Sequence, residues 1–208
     1  MNADPVADLL SLLDWKRQIA ELYAQIRAAS DCREAWTLWQ RTRARLFREH
    51  PQSPVPEAER RDYLGPHVFG YDPAWRLVGS VEAAEGRLLE LPSSDGGVMV
   101  FRRVGFVRLL YAGGQLRLEI YWLEAYGGGL FVPFADATSG QQTYGAGRYL
   151  LDTVKGAYLG EQNGQLVMDF NFAYQPSCSY DPRWTCPLTP PANRLRLPIR
   201  AGERMAPP

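Results

Sequence analysis

Polar residues able to do chemistry concentrate in two stretches, residues 130 to 153 and 168 to 203. Asp136, Thr138, Arg148, Asp169, Asn171, Tyr174, Cys178, Cys186 and Asn193 stand there among aromatics and turn formers and form the candidate ligand-binding set. Arg148 follows Gly147, and a guanidinium at a strand start can make a bidentate pair with Asp169 or Asp136, or with an anionic ligand. Asp169 and Asn171 are two apart on an extended run, so both are expected on one face, opposite Phe170 and Phe172. Polar groups grouped at strand ends beside structured loops serve either a ligand or a self-satisfying hydrogen-bond network.

Other chemistries find less support. His50 and His67 are the only histidines, both beside prolines, and no G-x-S-x-G elbow occurs, so a Ser or Cys triad is not expected. No H-x-x-x-H or C-x-x-C spacing marks a metal site, and no residue pattern names a cofactor. Asp136, Asp152 and Asp169 lack the Asp-rich loop of a hard-cation site. Gly127-Gly128-Gly129 and Gly145-Ala146-Gly147 lack phosphate-loop spacing and read as turns.

Cys178 and Cys186 flank Trp184-Thr185 in a segment, Tyr174 to Pro191, whose prolines at 176, 182, 187, 190 and 191 forbid regular ladder pairing. That segment reads as an extended covering loop. Its cysteines form a disulfide, a redox pair or two small packing residues. Asn193 and Glu203 are placed to anchor the ends of the loop by capping backbone groups.

Phe134 to Arg148, the run Asp169-Phe170-Asn171 through Cys178, the run Cys186-Pro187-Leu188 through Leu195, and Ala201-Gly202-Glu203 resemble a prokaryotic domain family of unknown function found in bacteria and archaea. The resemblance extends more loosely to Ser53-Pro54 and to Tyr71-Asp72-Pro73-Ala74-Trp75-Arg76. Gln175 stands where that family usually has Asn, and the N-terminus is shorter and more helical than in its longer members. The resemblance implies no activity, cofactor or catalytic residue; it directs attention to these segments.

The elements that must position these residues follow from periodicity. Val6, Leu9, Leu10, Leu13, Ile19, Leu22, Tyr23 and Ile26 recur at helical spacing and predict one amphipathic helix over roughly 5 to 28. Asp31 with Glu34 predicts the start of a second helix with a stripe of Ala35, Leu38, Trp39, Thr42 and Leu46, ending before His50-Pro51. Arg41, Arg43, Arg45 and Arg48 on this helix read as a solvated face rather than an anion patch.

From residue 68 onward the pattern turns extended. Runs at 75–81, 86–91, 98–103, 105–111, 115–122, 130–134, 149–153 and 165–172 are separated by Gly, Pro, Ser or Asp turns. In the fifth, Leu116, Leu118, Ile120 and Trp122 are expected inward and Arg117, Glu119 and Tyr121 toward water. Ala112-Gly113-Gly114 and Gln162-Asn163-Gly164 suit hairpin turns, which imply antiparallel pairing.

The expected fold class is therefore α+β: a helical hairpin over 1–50, a linker over 51–67, and a mainly antiparallel roll or barrel-like body over 68–208 with its proline-rich C-terminal lid. Hydrophobic residues make up 46% of the chain, enough for a full core. Lys plus Arg and Asp plus Glu are both 23, so no overall field draws nucleic acid or an anionic membrane. Asp8 and Asp14 interrupt the N-terminal apolar runs, three cysteines are too few for a disulfide scaffold, and no apolar run is long enough to span a bilayer, so a cytoplasmic location is expected.

Three functions fit these features. The first is a module that binds a small polar or anionic molecule under the lid through Arg148, Asp169 and Asn171. The second is a hydrolase- or lyase-like enzyme using Asp136 or Asp169 with Arg148. The third is a structural protein dimerising through Trp15, Trp36 and Trp39 of the helices.

Overall fold

A computed structural model describes residues Asp4–Ala206. The start of the N-terminal stretch, whose pattern argued against a leader peptide, lies partly outside the described residues. Helix α1 (Pro5–Ala28) is capped by Asp4, whose carboxylate accepts the Val6 N–H, with Pro5 in the first turn where no donor is missed. Only its second half is buried, through Ile19, Leu22, Tyr23 and Ile26, while Val6, Leu9, Leu10 and Leu13 stay exposed. Helix α2 (Cys32–Glu49) opens on Asp31, which accepts the Arg33 and Glu34 N–H groups at 2.7 and 3.1 Å, and stops at His50 ahead of Pro51. A short helix α3 (Glu57–Arg60) interrupts the expected linker.

Among the described residues eight strands follow: β1 (Arg76–Gly79), β2 (Val81–Pro92), β3 (Val98–Tyr111), β4 (Gly114–Leu123), β5 (Leu130–Phe134), β6 (Arg148–Asp152), β7 (Glu161–Gln162) and β8 (Gln165–Asp169). They form two antiparallel sheets, ordered β2-β3-β4-β5-β6 and β1-β8-β7. The class is α+β as expected, but the sheets stay open and no barrel closes. The runs expected at 98–103 and 105–111 are one strand whose register shifts between Arg103 and Gly105. Ala112-Gly113 makes the β3–β4 turn, and Asn163 and Gly164, both at positive φ, make the β7–β8 turn.

Two expectations are corrected. The inward–outward alternation of β4 holds for Leu116 to Leu118, but Glu119 and Tyr121 are buried and Trp122 is exposed. The C-terminal segment covers what would have been the wet face: Asn193 donates to the Glu119 carbonyl and accepts its N–H. The last run ends at Asp169, because residues Phe170–Phe172 form a 3-10 turn that Asp169 caps.

The helices share a core with the larger sheet. Ile19, Leu22, Trp39, Leu46 and Phe47 pack in one cluster with Phe101, Phe131, Tyr149, Phe172 and Tyr174. A second cluster, including Val107, Leu118, Phe134, Met168 and Ile199, lies between the two sheets and the chain terminus. Trp39 is fully buried, its ring edge-on to Phe172 at 5.6 Å, so it does not form an outer face for dimerisation. The described helices include none long and apolar enough to cross a membrane.

Candidate functional site

Arg148 opens β6 and is 1% exposed. Its guanidinium holds Asp136 at 3.3 Å and donates to the carbonyls of Ile199 and Glu203 at 2.9 and 3.1 Å, and also to that of Ala201. Burial lowers Arg148 to about 10 against the opposing pull of Asp136 and Glu203, which leaves it cationic at neutral pH. Asp136 is saturated as well, accepting Thr138 Oγ1 at 2.6 Å, the Ile199 N–H at 2.6 Å and the Thr138 N–H at 3.2 Å. Thr138 passes the network on to Thr143 at 2.9 Å. Of the two carboxylates open to Arg148, the fold uses Asp136, and the assembly clamps the C-terminal chain.

Gly147 and Gly202 are required for this clamp. Both have positive φ, and a Cβ would lie 2.4 Å from the Phe134 carbonyl at Gly147 and 2.5 Å from the Ala173 carbonyl at Gly202.

Asp169 and Asn171 lie apart from Arg148. Asp169 Oδ1 accepts the backbone N–H and the Nδ2 of Asn171, at 2.9 and 2.8 Å, and Asn171 brackets the backbone of Asp72. They meet because the 3-10 turn folds Asn171 back on its own cap, not because an extended strand points both one way. Burial raises the Asp169 carboxyl to about 6, more than the Asn171 hydrogen bonds and Arg76 lower it. Its folded value is thus above its unfolded one, so its contribution to stability is full below about pH 4 and is lost as pH rises through about 6. Asp169→Asn keeps the acceptor oxygen. It is expected to gain on the wild type by up to about 3 kcal/mol as pH rises from about 4 to about 7 in urea unfolding. A pH-independent difference would show that Asp169 titrates normally.

Asn193 is fully buried and joins β4 to β5 by donating to the Glu119 and Pro133 carbonyls at 2.9 and 2.8 Å. Its polar atoms, like the carboxylate of Asp136 and the two terminal nitrogens of Arg148, are occupied by protein.

The main cavity lies elsewhere, where α1 and α2 meet the segment from Tyr174 to Cys186. It holds about 280 Å³, near the lower end of small-molecule pockets. Leu12, Trp15, Ile19, Phe47 and Val154 give it apolar walls, and Lys16 and Lys155 line its more exposed part. Of the nine candidate residues, Tyr174 and Cys186 line it, and Cys178 touches Cys186.

Arg43 is the buried cation of this cavity, 6% exposed. Its Nε and Nη2 both meet Glu203 Oε1, at 2.7 and 2.6 Å. Glu203 Oε2 accepts the Gln175 N–H at 2.8 Å and the Tyr180 hydroxyl at 3.0 Å. The rings of Phe47, Tyr174 and Trp39 surround the guanidinium at 4.7, 5.0 and 5.2 Å. Burial works against the Arg43 charge, but Glu203, together with Tyr180 and Tyr23, outweighs it and raises its pKa. Among the described residues, Nη1 of Arg43 has no hydrogen-bond partner. Trp184, also on the lining, carries a buried indole N–H with no partner. Tyr174 spends its hydroxyl on Asp152 at 3.0 Å and presents its ring.

Arg43 does not belong with the solvated arginines of this helix. Arg41, Arg45 and Arg48 are exposed, whereas Arg43 is not. The signal was available: Arg43 is four residues after Trp39 and four before Phe47, on the buried stripe of α2.

The cysteines are free thiols. The Cys178 N–H points to Cys186 Sγ at 3.4 Å, and Tyr144 Oη lies 3.8 Å from Cys178 Sγ. A hydrogen bond from Cys186 lowers the Cys178 thiol to about 6, and the same bond, with burial, raises Cys186. The two thiols titrate as a coupled pair in which the thiolate is favoured on Cys178.

No curated protein matches the chain. A solved structure does: the solution NMR structure of an uncharacterised protein of Haloarcula marismortui, 35% identical, covering 77% of this chain and 87% of that one, with a TM-score of 0.56. A family model described as protein of unknown function (DUF1684) matches residues 61–204, which hold Glu203, Cys178, Cys186 and every strand among the described residues, but not Arg43. By that match the chain belongs to the DUF1684 family of proteins of unknown function.

Proposed function

We propose that the domain binds a small, largely apolar molecule carrying one anionic, hydrogen-bond-accepting group, of which a carboxylate is the simplest form. The observation that carries this reading is the buried Arg43 on the cavity wall with Nη1 unpartnered. The Trp184 indole N–H on the same lining is buried without a partner, which costs about 1–3 kcal/mol, so an incoming acceptor recovers that cost on binding. The apolar walls suit a hydrocarbon or aromatic body, and Lys16 and Lys155 favour entry of an anion. Glu203 already neutralises Arg43, so a single negative charge is matched better than a phosphate dianion.

A thermal-shift panel of short aliphatic and aromatic carboxylates, with matched primary amides and amines, tests this. Carboxylates are expected to raise Tm with concentration, by about 2.7 kcal/mol of added stability at a hundredfold excess over Kd, and the amines are not. The paired variant Arg43→Met/Glu203→Gln is expected to stay folded and lose the shift. A panel without any responsive carboxylate, or a shift retained by that variant, would refute the reading.

A further inference from the structure

We propose that Cys178 and Cys186 are a redox-active dithiol that a hydroperoxide, reaching it through the α1–α2 cavity, closes to an intrachain disulfide. This goes beyond ligand binding and does not depend on Arg43. The fold, not sequence spacing, brings the two sulfurs together. Cys178 sits on a 3-10 turn, Ser177–Ser179, while Cys186 is fixed to the turn after β2 by the Ser94 N–H to its carbonyl at 2.9 Å and its own N–H to Ser94 Oγ at 3.0 Å. Both anchors hold, with the Cys178 N–H on Cys186 Sγ at 3.4 Å. Cys186 and Ser177, the neighbour of Cys178, line the cavity, and Cys178 is the more open thiol at 9% exposure against 2%, so a reagent as small as hydrogen peroxide meets the pair from that side.

The two thiols are not equivalent. The hydrogen bond from Cys186 lowers the Cys178 thiol and raises that of Cys186, so the thiolate is favoured on Cys178. The Cys178 thiolate attacks one peroxide oxygen and the O–O bond breaks. The leaving alkoxide or hydroxide takes a proton from solvent, and Cys178 becomes a sulfenic acid. Its negative charge, which had held the proton on Cys186, is then gone, and the Cys186 thiol ionises more readily. Cys186 attacks the sulfenyl sulfur, the S–S bond forms, and hydroxide leaves with the Cys186 proton as water. Two thiols and one hydroperoxide give one disulfide, one alcohol or water, and one water; the sulfurs lose two electrons and the O–O bond gains them. Closure fixes the loop that carries Tyr180 and Trp184 on the cavity wall.

Cys32, on the first turn of α2 beside a separate smaller cavity, is the internal control. Reduced full-length protein is exposed to equimolar hydrogen peroxide, alkylated with N-ethylmaleimide and peptide-mapped. The expected map joins the Cys178 and Cys186 peptides, leaves Cys32 alkylated and reverts with dithiothreitol. Full alkylation of both partners, or Cys178 over-oxidised without pairing, overturns the proposal. In Cys186→Ser a dimedone adduct is expected on Cys178; an equally fast adduct on Cys186 in Cys178→Ser would overturn the assignment of the nucleophile. Should either variant fail to fold, the wild-type map decides alone.

Discussion

Arg148→Met is expected to lower the unfolding free energy by about 5 kcal/mol, read by urea or thermal denaturation, and to release the C-terminal segment before the rest of the fold. Breaking a buried ion pair from one side costs roughly 3–5 kcal/mol, because the carboxylate left behind, here Asp136, stays buried without its cation. The carbonyls of Ile199, Ala201 and Glu203 lose their donor in the same step. Domains of this kind hold roughly 5–15 kcal/mol in all, so such a loss puts the native state at risk. Hydrogen exchange gives the sharper readout. The Phe69 and Ala137 N–H groups bond to the Gly202 and Leu197 carbonyls, and both are expected to exchange faster in the variant while the β3–β4 ladder keeps its protection. Uniform loss of protection would mean that the clamp and the body unfold as one unit.

A ligand role for Arg148 was the expectation from its place among glycines and aromatics, and the reason it serves as a clamp is geometric. A guanidinium presents a fixed fork of donors, and alternate carbonyls at 199, 201 and 203 offer acceptors along one side of the chain. Nothing in the spacing of Arg148 announces partners more than fifty residues ahead. Local features were legible. Asp31 with Glu34 and His50-Pro51 set the boundaries of the second helix, and alternating apolar residues set most strands, because caps and periodicity act within a few residues. The 3-10 turn at Phe170–Phe172 was not legible, since Asp169 and Asn171 read equally well as a strand pair until the turn brings the side chains together. Glu119 was placed toward water because only Asn193, far along the chain, makes its burial affordable. The burial of Arg43 was legible in the sequence. A charge on the buried stripe of an amphipathic helix demands a buried partner, and Glu203, in the Ala-Gly-Glu motif, was the acid whose role had been read only as a cap.

The pair Arg43 and Glu203 yields the second large effect, and a double-mutant cycle separates it from packing. Glu203→Gln is expected to cost about 3–5 kcal/mol, since Arg43 keeps its charge inside a ring of Phe47, Tyr174 and Trp39 with no counter-ion. Arg43→Met alone is expected to cost a similar amount, because Glu203 retains the Gln175 N–H and the Tyr180 hydroxyl but faces no cation. The double variant is expected to recover most of the loss: methionine fills the aromatic cage, the amide of glutamine keeps an acceptor for Gln175, and no unpaired charge is buried. A coupling energy of about 2 kcal/mol or more between the two sites in urea unfolding is the expected result. If the single losses simply add, the side chains stabilise the fold by packing alone. The distinction matters for the cavity, because a helix pinned to the terminal chain through a charge pair holds Arg43 Nη1 in place before any ligand arrives. Coupling near zero would leave that donor free to move with its side chain, and the preorganisation on which anion binding rests would be lost.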